Sequence, residues 1–269
     1  MTTKTLRIAC LALGLNLLGR VAAADLAADL CIYGGTAGGV ACAVQGTRQG
    51  LRVVLIEPTQ HLGGLTTGGL GATDVGAGRS IGGMAREFYT KVRDAYVAAY
   101  GADSKQVADC HGGYRFEPSV AEKLIDGWLE GTGVTVVRGA RLTSVVKDGA
   151  RLRRADFADG TKVTARVFVD TTYEGDLMAA AGVSYHVGRE ANSVYGESLN
   201  GRQFQNNHNF RVPVDPYREE GKPESGLLWG ISPEPPGKAG EGDSAVQAYN
   251  FRMCLTKAAD RIPIPKPDG

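Results

Sequence analysis

Five cysteines and four histidines are scattered along the 269 residues with no metal-ligand spacing, so no metal centre is expected. Past residue 24 no apolar run approaches a transmembrane length, which excludes a stable membrane span in the mature chain. Neither a twin arginine nor a lipobox is present, because Cys10 lies inside the only N-terminal apolar run and not after it. There is no internal repeat and no low-complexity tract. An excess of one charge is also missing, with 30 Lys and Arg against 29 Asp and Glu, so nothing points to nucleic acid.

The first residues belong to targeting. Lys4 and Arg7 precede the apolar run Ile8 to Leu18, and Val21 to Ala24 supplies small residues for cleavage, so residues 1–24 read as a signal peptide for general secretion. At about 1.5 Å per residue the run is too short to cross a bilayer. A secreted or periplasmic protein follows, with any cofactor acquired outside the cytoplasm. Residues 1–24 carry Lys4, Arg7 and Arg20 and no acid, so the mature chain has 27 basic against 29 acidic residues, a net −2. Of its four cysteines, Cys31 and Cys42 fall in apolar periodic stretches and act as small apolar residues. A Cys110–Cys254 disulfide is possible in an oxidising compartment, although the spacing does not require it.

What is abundant is glycine, 38 of 269 residues, about twice the ordinary share of roughly 7%. The glycines cluster over residues 34–83, as loops built for close backbone approach would require. Residues 29–57 alternate strand, helix, strand: LCIY, then GGVACAVQGTRQG ending at Gly50, then LRVVLIE, a βαβ unit of parallel-crossover length. Ser80 to Tyr100 reads as an amphipathic helix with Ile81, Met84, Phe88, Val92 and Tyr96 on one face. A second helix opens at Pro118, carries Val120, Leu124 and Trp128 at helical spacing, and ends at Gly131 and Gly133. Residues 133–170 then alternate around Asp148-Gly149 and Asp159-Gly160, an antiparallel meander feeding into a buried strand VFVD.

The fold expected is α/β: a Rossmann-like domain over 25–185, a parallel sheet with a β-meander insertion and a helical insertion near 79–118. Residues 186–269 hold nine of the eleven prolines from Pro213 onward and read as the start of a loop-rich, incomplete substrate or cap region.

The turn GGTAGG after the first strand resembles G-x-G-x-x-G, with Gly34 and Gly39 as its first and third glycines and Thr36 in the middle. The Thr36 hydroxyl can donate to a phosphate oxygen, the N-terminus of the helix beginning near Ala37 offers free N–H groups, and Gly35 and Gly38 keep the turn flexible. Glu57, followed by Pro58, ends the second strand 23 residues after Gly34, where its carboxylate can accept from both ribose hydroxyls of an adenosine. An acid there disfavours a 2′-phosphate. HLGGLTTGGLGATD at 61–74 presents Gly63, Gly64 and Leu65 in a loop that can pass under an extended cofactor. VFVDTTYEGD places Asp170, Gly175 and Asp176 at the end of a late strand and the start of a short helix, where Asp176 on its own reads as an N-cap.

The series GGTAGG, IEP, HLGGLTTGGLGATD, IGGMAREFY, YRFEP, VFVDTTYEGD, YGESLNG and YNFRMCLT resembles the secreted FAD-dependent oxidoreductases of the glutathione-reductase-like flavoprotein fold, across nearly the whole mature chain. The resemblance implies an FAD site built from Gly34, Thr36, Gly39, Glu57, Gly63, Gly64 and Asp176. It also implies a chain truncated at its C-terminus, one that binds FAD weakly or folds poorly alone. The expected reaction is hydride transfer from a small-molecule substrate, polyol or sugar-like by analogy, to flavin N5. The electron acceptor stays open, and so does the base, for which His111, Arg115, Glu117, His208 and Arg211 are the candidates. Two other readings use the same residues. One is an NAD-linked dehydrogenase, which the segments at 61–74 and 167–176 disfavour; the other is a carbohydrate-active lyase or binding protein with a structural Rossmann unit.

Overall fold

The computed structural model describes residues 24–266 apart from 206, 208, 248–251, 258 and 260. The expected signal peptide and His208 lie outside the described residues. The chain divides into two compact units, residues up to 183 with those from 252 onward, and residues 184–251. The sequence reading joined 252–269 to the irregular region; the described residues there belong instead to the first unit, where the Arg252 carbonyl lies against Gly69.

In the first unit, β1 (Asp25–Tyr33), α1 (Ala37–Arg48) and β2 (Val53–Glu57) form the expected βαβ unit. α2 (Gly83–Tyr100), α3 (Lys105–Asp109) and α4 (Pro118–Leu129) follow, then β3 (Thr135–Arg138), β4 (Leu142–Asp148), β5 (Arg151–Phe157), β6 (Lys162–Asp170) and α5 (Asp176–Ala180). The strands form one six-stranded sheet in the order β3-β2-β1-β6-β5-β4. β3, β2, β1 and β6 are parallel; β6, β5 and β4 are antiparallel. The meander feeds back into the sheet as expected, with β4 and β5 inserted in the chain between parallel strands β3 and β6, and β6 serving both as its last strand and as the parallel neighbour of β1. α2, between β2 and β3, packs Phe88, Val92 and Tyr96 into the same core as Val40, Val44, Ile125 and Leu55.

Two cores flank the sheet. One lies under α1, α2 and α4; the other, with Cys31, Tyr33, Ile56, Phe157 and Val163, lies on the opposite side. Strand side chains alternate by residue, yet Ala28 and Leu30 face different cores. The change of face falls where the N–H groups of Asp29 and Leu30 both donate to the Arg52 carbonyl, at 2.9 and 3.2 Å, while the register against β6 runs on unbroken. Beyond it Leu30 and Ile32 point to the helices, and Cys31 and Tyr33 to the meander side. Burial pushes the Cys31 thiol up to about 12, so it stays protonated and inert.

Four expectations shift. α2 begins at Gly83 because Ile81 is extended and Gly82 is its cap. The buried face of α4 is Ala121, Ile125 and Leu129, with Val120, Leu124 and Trp128 half-buried beside it. In VFVD only the far residues are shielded, and Val167 is 53% exposed. The described cysteines are all free thiols, Cys110 buried and Cys254 exposed.

The second unit is irregular. It has the single-turn α6 (Asn192–Tyr195) and one 3-10 turn, Pro223–Ser225, and none of its described residues is fully buried. Its organising feature is an ionic clasp in which the Asp243 carboxylate takes Arg189 Nε at 2.9 Å, Arg202 Nε at 2.8 Å and the Arg189 terminal nitrogen. Antiparallel backbone bonds between Arg189 and Asp243, at 2.8 and 3.0 Å, set the register of that clasp. The Arg189 guanidinium holds the Asp243 carboxyl well below the usual carboxylate range.

Candidate functional site

At the C-terminal ends of parallel strands, the loops after β1 and β6 part on either side of β1, and such a crevice is where open α/β sheets bind ligands. A cleft of about 590 Å³ opens there. Gly34, Thr36, Glu57, Pro58, Gly64 and Asp176, all singled out by sequence, line it.

The turn after β1 is held by side chains from the far end of β6. Thr171 Oγ1 donates to the Gly34 carbonyl at 2.6 Å, and Thr36 Oγ1 donates to the Thr171 carbonyl at 2.8 Å. Thr36 Oγ1 also accepts from the Gly39 N–H at 3.2 Å, making Thr36 the N-cap of α1. The hydroxyl proton assigned by sequence to a phosphate oxygen is therefore donated inside the protein. The Thr36 carbonyl takes the Val40 N–H at 2.9 Å. The N–H groups of Ala37 and Gly38, at the first two helical positions, have no carbonyl one turn back to pair with. They are what the turn offers an anion.

Each glycine has its own reason. Gly34 has φ +105°, closed to most other residues, and a Cβ would lie 2.7 Å from the Thr172 nitrogen. At Gly39 a Cβ would meet the Gly34 carbonyl at 2.1 Å, so this residue is where helix and strand touch. Gly35, read as a source of flexibility, is instead packed: a Cβ there would meet Leu62 at 2.4 Å. Gly38 has only Thr36 Oγ1 within reach, at 3.8 Å.

Glu57 is 7% exposed and forms no salt bridge among the described residues. Its Oε2 accepts from the Gly35 N–H at 2.6 Å and its Oε1 from the Thr59 N–H at 2.7 Å. A carboxylate has about four acceptor sites, so two remain for a ligand's hydroxyls. This bonding ties the first turn to the end of β2, and Gly63 joins the same knot by donating to the Gly35 carbonyl at 2.6 Å.

On the opposite wall, Asp170 accepts from the Thr172 N–H at 3.0 Å and the Met178 N–H at 2.9 Å, so it braces the loop and is not aimed at a ligand. Gly175 is left-handed (φ 74°) and caps α5, which makes Asp176 the first helical residue and not the N-cap. The Leu65 N–H donates to the Tyr173 hydroxyl at 2.8 Å, and that hydroxyl fills the space a Cβ on Gly64 would need. The strap this makes escaped sequence reading. So did the inward position of Tyr33, whose hydroxyl accepts from the Leu142 N–H at 3.1 Å. Burial, reinforced by Asp176 and Asp170, pushes the Tyr33 hydroxyl above the usual tyrosine pKa, against the opposing pull of the Leu142 bond and Arg141. His61, bound through Nδ1 to Glu122 at 2.6 Å, and Arg141 complete the rim.

The candidates for a base lie elsewhere. Arg115 and Glu117 line a second cavity of about 460 Å³, with Gly69, Gly71, Tyr96 and Cys110. His111, left-handed at φ 47°, is bonded to Arg115 at 3.2 Å. Arg211 is in the second unit. Among the described residues no cluster of His, Cys, Asp and Glu has a metal-binding arrangement, and no helix is long and apolar enough to cross a membrane.

The sequence matches the family described as FAD dependent oxidoreductase over residues 29–269. No curated protein matches it. Among solved structures it is similar to L-proline dehydrogenase from P. horikoshii, at 12% identity, over 62% of this chain and 59% of that one, with a TM-score of 0.41. It is also similar to glycerol-3-phosphate dehydrogenase from Bacillus halodurans complexed with FAD, at 12% identity, over 63% and 41%, with a TM-score of 0.43. The chain thus spans less than two thirds of either protein, and its kinship rests on the family match.

Proposed function

Because the chain belongs to the FAD-dependent oxidoreductase family, with FAD as its cofactor, we propose that this cleft holds FAD and that the protein oxidises a small molecule. The observation that carries the reading is one crevice lined both by Gly34 and Thr36, the turn and N-cap that open α1, and by a buried Glu57 carboxylate with spare acceptor sites. An anion fits the first and a ribose diol the second. Gly34, Gly35, Thr36 and Gly39 shape the turn, Pro58, Gly63, Gly64 and Leu65 the loop that runs along the cofactor, and Asp176 with Gly175 the wall opposite. Asp170 acts through the loop it braces.

Bound FAD supplies the hydride acceptor, at flavin N5. The chain's own residues bind, orient and exclude water. The second cavity extends the same glycine loop, since Gly64 and Gly68 line the first cleft and Gly69 and Gly71 the second. Arg115 and Glu117 there are suited to hold a polar substrate, polyol or sugar-like in this reading. Export to the periplasm or medium is part of the proposal, on the strength of residues 1–24.

The test is the visible spectrum of purified protein before and after unfolding. Flavin bands with the chromophore released on denaturation are expected. A well-folded, colourless protein that takes up no added FAD would refute the assignment and return the nicotinamide and polysaccharide readings.

A further inference from the structure

We propose that Arg141 is the counter-ion of the cofactor's pyrophosphate, an inference that rests on the flavin reading above. The backbone fixes where this residue stands. Gly139 and Ala140 donate their N–H groups to the Thr59 and Glu57 carbonyls at 2.8 and 3.1 Å, and Leu142 donates to the Tyr33 hydroxyl at 3.1 Å. Arg141 is therefore pinned between the ends of β1 and β2, and it lines the cleft. Its guanidinium has no hydrogen bond or ion pair among the described residues. Arg138, three residues earlier, is held by Asp126 at 2.6 Å, and Arg154 by Asp156 at 2.7 Å.

The cleft needs such a charge. Glu57, Glu122, Glu174 and Asp176 all line it. A pyrophosphate diester adds two negative charges, and a helix N-terminus offers only about half a positive one. His61 is already engaged by Glu122, which leaves Arg141 as the uncommitted permanent cation among the described lining residues. A guanidinium presents several donors in a fixed fork that matches phosphate oxygens. Because the side chain is exposed and has no hydrogen-bond or ion-pair partner among the described residues, its removal is expected to leave the fold intact.

The experiment measures FAD affinity of the full chain by quenching of flavin fluorescence, for the wild type, Arg141→Gln and Arg141→Lys, at low and raised salt. ADP and adenosine serve as competitors, and circular dichroism as a check on folding. Arg141→Gln is expected to weaken FAD about ten- to hundredfold, the value of one charge-assisted contact. Arg141→Lys, which keeps the charge and loses the fork, should fall between the wild type and the glutamine variant, ADP should weaken in parallel with FAD, and adenosine should not change. The salt dependence of FAD binding should flatten in the glutamine variant. Unchanged FAD affinity in Arg141→Gln, or an equal loss for adenosine and ADP, overturns the assignment, the second by showing stacking on the base. A wild type that binds neither FAD nor ADP removes the flavin reading and this inference with it.

Discussion

Gly38 and Gly39 are adjacent, both helical, both in the first turn of α1, and they should respond oppositely to one added methyl group. In Gly38→Ala the new Cβ sits in open space, 3.8 Å from Thr36 Oγ1, so the variant gains helix propensity and loses unfolded-state freedom, together about 0.5–1 kcal/mol. In Gly39→Ala the Cβ falls 2.1 Å from the Gly34 carbonyl and 2.7 Å from Thr171 Oγ1. Both obstacles are fixed to each other by a 2.6 Å bond, so neither yields without breaking the clamp on the turn. The helix must instead retreat from β1, and Val40, Ala43 and Val44 lose contact with the core beneath. Overpacking of this kind costs about 1–3 kcal/mol, and loss of the Thr171 bond adds about 1. For a chain of this size each kcal/mol moves the melting temperature by about 2–4 °C. Thermal and urea unfolding of the cofactor-free protein should place Gly38→Ala slightly above the wild type and Gly39→Ala roughly 5–15 °C below it. Equal behaviour of the two variants, in either direction, would refute the account of the turn as a rigid helix-strand contact.

Glu57→Gln replaces an acceptor with a donor facing the N–H of Gly35 or Thr59 and should cost about 1.5–3 kcal/mol in the cofactor-free protein; an unchanged unfolding midpoint would remove Glu57 from the architecture of the turn. The second unit should depend on acid titration of Asp243, whose folded-state value is depressed. Its stabilisation is then full above the ordinary carboxylate range and lost as pH falls through the depressed folded value. Limited proteolysis of 184–251 should be faster in Asp243→Asn than in the wild type at pH 7, with the difference vanishing in strong acid; equal rates at pH 7 would contradict the clasp.

The first unit was legible because periodicity and packing coincide there. The strands LCIY and VVLIE are buried from end to end, and an apolar run of that length between glycine turns has few other destinations. The long-range partners were not legible: β1 as the parallel neighbour of β6, and the α1 core as the destination of Phe88, are distant in sequence. The site was legible in its glycines, whose spacing is local, but not in Tyr33, Tyr173 or Arg141. Nothing in a strand-end tyrosine announces that its hydroxyl anchors a residue more than a hundred positions away. The second unit carries no periodic signal because none of its described residues is fully buried and it is organised by one carboxylate.

Most groups that sequence reading offered to a ligand are already spent within the protein. Thr36 serves Thr171 and Gly39, Asp170 serves Thr172 and Met178, the Leu65 N–H serves Tyr173, and half of the Glu57 acceptor capacity serves Gly35 and Thr59. The cleft is therefore shaped by folding before anything enters it, which lowers the ordering cost of binding. It also means that two classes of variant exist. Changes at Thr36, Gly39, Glu57 or Asp170 act on stability and affinity together, and a lost cofactor in those variants says little about contact. Changes to the side chain of Arg141, which has no hydrogen bond or ion pair among the described residues, are expected to act mainly on affinity. A variant set sorted by that double readout separates the scaffold of the site from the surface that touches the cofactor, which loss of activity by itself does not.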